Sequence, residues 1–168
     1  MFKDNVNRRI TAVSVQLSHA EKKGISNVAK SSYYRAAIIL LCTIIEGFVY
    51  QLVKRSTPKP KHVIDKAREY PIKHKIPAKS LGISTDLYIC EKKEKEISID
   101  DKGVTFGRLN LYLKDKSIIS ESQYKILDKV RTERNKIHLQ SLESNDTGYT
   151  KKKFNELAKS LDFLLKKL

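Results

Sequence analysis

Tryptophan is absent from this chain, cysteine occurs twice, and acidic residues are heavily outnumbered by basic ones. Cys42 and Cys90 are too few for a disulfide framework or a thiolate zinc site. Cys42 lies in an apolar run, where a buried small hydrophobe is expected. The six glycines are scattered and form no phosphate-binding loop. His19, His62, His74 and His138 lie far apart in the chain, none in a C-x-x-C or H-x-x-x-H context, so no metal site is expected. No serine sits in a recognisable nucleophile elbow. Aromatic residues (8 Tyr, 5 Phe) do not interleave with basic ones as a base-stacking ladder would. Long hydrophobic runs are missing too. The longest, Ala36–Ile45, is ten residues bounded by Arg35 and Glu46, too short to cross a bilayer. Met1–Ile10 is polar and charged, unlike a signal peptide. These absences predict a cytoplasmic protein with no membrane span, no cofactor and no metal.

What remains is a basic globular chain. Its 168 residues are 40% apolar and 32% charged, enough for one domain with a core. The 34 Lys and Arg against 19 Asp and Glu give a formal net charge of +15. An excess this large favours polyanionic partners, nucleic acid first and an anionic membrane surface second.

The periodicity is mostly helical. Val6, Ile10, Val13, Leu17 and Ala20 recur at spacings of three and four, one stripe of a helix over about Asp4–Lys23, with Gly24 as its stop. Ser26–Lys54 reads as a second helix, apolar nearly all round from Ala36 to Val53, which places it centrally in a bundle. Glu46 is a carboxylate inside that segment and must meet a cation, a helix end or a crevice. Pro58 and Pro60 stop the helix. Val63–Tyr70 reads as a short helix. Leu87–Ile89 and Glu96–Ile99 alternate around the charged tract Glu91–Glu96 and predict a small β-hairpin. A third, shorter helix covers Thr105–Lys116, with Phe106, Leu109 and Leu113 apolar. Ser120 and Gln123 form a capping-box pattern that opens a helix to about Leu139, with Tyr124, Leu127, Val130 and Ile137 inward. Ser141–Tyr149 is turn-like, and a last helix follows from about Thr150. The expectation is all-α: a bundle of four to five main helices in a single domain, residues 1–168, with a loop or β-hairpin insertion at about 56–103.

The chemistry concentrates in Val130–Leu139, V-R-T-E-R-N-K-I-H-L. Arg131 and His138 are seven apart, about two turns, and Arg134 precedes His138 by one turn. A guanidinium beside an imidazole suits binding a phosphodiester and moving a proton next to it. A solvated helix face would give the same pattern, and Arg131 could equally brace the bundle through Glu46 or Glu133.

R-T-E-R-N-K-I-H-L resembles the signature of the HEPN superfamily, an Arg, often followed by a polar residue, then four to six residues, then His. Arg131 and His138 have six residues between them. Arg134-Asn135 is closer to the Arg-polar pair but has only three before His138, so spacing favours Arg131 and composition Arg134. The helix A-A-I-I-L-L-C-T-I-I-E-G-F-V with Glu46 inside resembles the family's long early helix, and G-Y-T-K-K-K-F-N-E-L its last connection and helix. The resemblance covers about half of the chain. It implies a HEPN-like bundle that dimerises with the motif helices in one cleft, and metal-independent endoribonuclease activity, often in toxins or defence components. His138 and Arg131 would then be catalytic, with Arg134 and Asn135 holding substrate and Glu46 supporting them. Other members bind nucleic acid or a partner without cutting, so an antitoxin or nucleotidyltransferase-type partner is also implied.

Overall fold

The computed structural model describes residues 2–59, 62–139 and 148–167, the side chains of His138 and Leu139 excepted. Pro60, Leu168 and most of the turn expected over Ser141–Tyr149 lie outside the described residues. The order is α1 (Phe2–Ala20), α2 (Asn27–Ser56), β1 (Val63–Glu69), β2 (Ile72–Ile76), α3 (Ala78–Leu81), β3 (Leu87–Cys90), β4 (Lys93–Ser98), α4 (Phe106–Asp115), α5 (Glu121–Leu139) and α6 (Lys151–Lys167). The chain divides into two compact units, Met1–Ser56 with Thr105–Leu168, and Thr57–Val104.

The first unit is built around α2. Ala37, Ile38, Cys42, Ile45, Val49 and Val53 are wholly enclosed there, and α1, α4, α5 and α6 all pack on this helix. By length and composition α2 would pass for a membrane span. Here its apolar surface is covered by neighbouring helices, which is what an all-round apolar helix needs in water. On the α1 side, Val13, Ala37 and Ile44 are buried together, with Val6, Leu17, Leu40, Phe48, Phe154 and Leu161 packed around them. The α1 stripe is only partly inward, since Ile10 remains 48% exposed. Gly24, at φ +80°, takes the left-handed conformation after α1 that glycine adopts without strain.

The second unit overturns the all-α expectation. It holds two small two-stranded antiparallel sheets, so the fold is mixed, though mostly helical. β1 pairs with β4, from Val63↔Ser98 to Glu69↔Lys93. β2 pairs with β3, from Ile72↔Cys90 to Ile76↔Leu87. Val63–Glu69 is therefore a strand rather than a helix, and the two segments expected to form one hairpin pair elsewhere. The reason is charge as much as propensity. The charged tract Glu91–Glu96 supplies cross-strand partners instead of a loop: Lys95 meets Glu69 at 3.1 Å, Lys66 meets Glu94 at 3.7 Å, and Glu91 meets Lys73 at 3.1 Å. Opposite charges facing across a ladder support that register.

Candidate functional site

The site region begins with the cap of α5. The Gln123 amide donates to Ser120 Oγ at 3.2 Å, and the Ser120 amide donates to Gln123 Oε1 at 2.9 Å. This reciprocal pair satisfies two amides that the helix itself leaves without acceptors. Leu127, Val130 and Ile137 point inward and are at most 1% exposed.

Arg134 and Glu46 come together. Arg134 Nη1 lies 2.9 Å from Glu46 Oε1, with the side chains 39% and 20% exposed. The carboxylate inside apolar α2 thus receives its cation from α5. Close by, the Cys42 thiol contacts the Val130 carbonyl at 3.8 Å. Burial, with Glu46 adding to it, pushes this thiol up to about 12. Cys42 is a protonated core residue and not a nucleophile.

Arg131 stands apart from that pair. Its Nε donates to Asp128 Oδ1 at 2.7 Å, one turn earlier on α5. Neither terminal nitrogen donates to any described residue. The hydrogen bond to Asp128 holds the guanidinium still more firmly in its charged form. The stem crosses the first turn of α4, where a Cβ on Gly107 would sit 3.4 Å from Arg131 Cδ. A Cβ there would meet the arginine stem in van der Waals contact. Asn135 is exposed, one turn beyond.

His138 belongs to the last turn of α5, but its side chain lies outside the described residues. Its backbone position is two turns from Arg131 on the same side of the helix, about 10 Å along the axis. Arg35 of α2 reaches this end of α5, its Nη2 donating to the Ile137 carbonyl at 3.2 Å. That contact satisfies one of the carbonyls a helix end leaves open and brings a third guanidinium, besides those of Arg131 and Arg134, to α5.

The other side of α5 faces α6 across a cleft of about 530 Å³, lined by Asp128, Lys129, Thr132, Glu133, Lys136 and Lys153 among others. Glu133 is its anchor, 2.7 Å from Lys153 and 3.2 Å from Lys136. Burial pushes this carboxyl up, but hydrogen bonds from Lys153 and Lys136 outweigh it and the net shift is downward.

Asp128, Gly107 and Arg35 were not singled out from the sequence. The Asp128–Arg131 spacing of three was readable as a helical pair; the other two contacts are long-range and left no local signal. Among the described residues no group of three or more His, Cys, Asp or Glu side chains is arranged to hold a metal ion. The helical unit carries 23 of the 34 basic residues against 11 acidic ones, and so most of the net positive charge. No family model matches the chain, and no curated protein or solved structure is significantly similar to it.

Proposed function

We propose that this protein is a cytoplasmic, metal-independent endoribonuclease that works as a homodimer, with the C-terminal half of α5 from two copies forming one cleft. The observation that carries the reading is Arg131. It is a half-exposed guanidinium, fixed through Nε by Asp128, with terminal nitrogens that no described residue takes up. It lies on the same side of α5 as the backbone of His138. Arg131 binds the scissile phosphate and stabilises the charge that builds on it in the transition state. His138 of one copy takes the proton from the ribose 2′-hydroxyl as that oxygen attacks phosphorus. His138 of the other copy gives a proton to the departing 5′-oxygen. The products are a cyclic 2′,3′-phosphate and a free 5′-hydroxyl. DNA, lacking the attacking hydroxyl, is left intact. Asn135 orients substrate or His138, and the Glu46–Arg134 pair fixes α5 on α2. The resemblance of the motif to HEPN proteins supports this chemistry and suggests a toxin or defence role.

The test is incubation of the pure protein with RNA in excess chelator, beside His138→Ala and Arg131→Ala. Wild type alone should cut, leaving cyclic phosphate ends. Equal cutting by all three would trace the activity to a contaminant and end the proposal. A second reading is a nucleic-acid-binding protein that does not cut, favoured by the cationic helical unit and by the engagement of Arg134 with Glu46. It predicts binding of RNA and DNA with a steep salt dependence, unaltered by His138→Ala.

A further inference from the structure

Three chain segments meet around a second depression of the helical unit, away from the α5 motif. Glu21, just past α1, the first turns of α2 and α6, and Tyr149 surround a cavity of about 460 Å³. Its floor is built from buried side chains. Ser31 and Tyr34 are 2% exposed, and Tyr149 is 4% exposed. The Tyr149 amide donates to Ser31 Oγ at 3.1 Å, tying the entry of α6 to α2, and the Tyr34 hydroxyl donates to the Glu21 carboxylate. The rim carries Lys30, Lys151 and Lys152. Lys151 lies 3.6 Å from Glu21. Lys30 and Lys152 form no ion pair among the described residues, although Lys30 adds to the field on Glu21. Among the described residues, three ammonium groups against one carboxylate leave a surplus of two positive charges around one small space.

We propose that this cavity binds a phosphate monoester group. A terminal phosphate is close to a dianion at neutral pH and has three strong acceptor oxygens, which matches the surplus. The closed floor suits the end of a ligand better than a backbone running through. The entry to α6 adds donors. Thr150 takes the amides of Lys153 and Phe154, and the amides of Lys151 and Lys152 are among those a helix start leaves without intrahelical acceptors. Glu21 reports the same potential: the Tyr34 hydrogen bond first, then Lys151 and Lys30, hold its carboxyl below the usual range against burial. None of Arg131, Arg134 or His138 takes part, so this site stands whether or not the chain cuts RNA.

The test is an amide-shift titration of the full chain with inorganic phosphate at matched ionic strength, repeated on Lys30→Gln/Lys152→Gln. Parallel arms use AMP and a short oligodeoxynucleotide with and without a 5′-phosphate, to separate a free nucleotide from a nucleic-acid end as the source. The expected result is saturable shifts at residues 30–31 and 149–152 with phosphate. The double variant, whose lysines are both exposed, should bind about tenfold more weakly or worse, as expected for losing charge-assisted hydrogen bonds. No saturable response to phosphate, or an equal response in the double variant, overturns the proposal.

Discussion

Removing Arg134 and removing Arg131 should damage the protein in different ways, and the difference can be worked out beforehand. Exposed ion pairs are worth at most about 1 kcal/mol, whereas breaking a fully buried one costs about 3–5 kcal/mol. The Glu46–Arg134 pair, at 20% and 39% exposure, lies between. Arg134→Ala should therefore cost about 2 kcal/mol, because it takes the cation away from a carboxylate held in an apolar helix. For a chain of this length that corresponds to a melting temperature lower by about 4–8 °C. Arg131 pairs with a carboxylate of its own helix, both side chains 39% exposed. Arg131→Ala should cost only about 0.5 kcal/mol, or about 1–2 °C. Far-UV circular dichroism melts of both variants, with Glu46→Gln and Glu46→Gln/Arg134→Gln to close a double-mutant cycle, read these numbers, and the cycle should give a coupling of about 1 kcal/mol. Below its melting range Arg134→Ala should still cut RNA, while folded Arg131→Ala should not. The reasoning fails if Arg134→Ala melts with wild type, if the coupling is nil, or if Arg131→Ala proves the less stable of the two.

Two further expectations rest on titration. Burial holds the Cys42 thiol near 12 while Cys90 is exposed, so a thiol reagent at neutral pH should label one cysteine per native chain; rapid labelling of two would contradict the packing of α2. Glu133 is held below its ordinary value of 4.5, burial being outweighed by Lys153 and Lys136. A carboxyl depressed by folding stabilises above its unfolded value and loses that contribution as the pH falls through the folded one, so Glu133→Gln should flatten the acid side of the stability profile below about pH 4.5, and an unchanged profile would refute the role given to those lysines.

The sequence by itself determined the helices and much of their inward faces. The Ser120–Gln123 cap, the stripe Leu127, Val130, Ile137 and the all-round apolarity of α2 are local properties, set by a repeat of 3.6 residues and by the amides a helix start leaves open. It also determined that Glu46 needed a cation, a helix end or a crevice. Which of these, and which cation, was decided only by tertiary structure. Arg134 rather than Arg131 reaches Glu46 because burying Leu127, Val130 and Ile137 turns residue 134 toward α2 and residue 131 toward α4, and that assignment joins positions 88 apart in the chain. The pairing of the strands was hidden for the same reason. Val63–Glu69 has no strong period of its own and becomes a strand because Lys93–Ser98, some thirty residues on, supplies its hydrogen bonds and opposite charges. Local pattern reports what a segment prefers; a partner distant in sequence decides what it becomes.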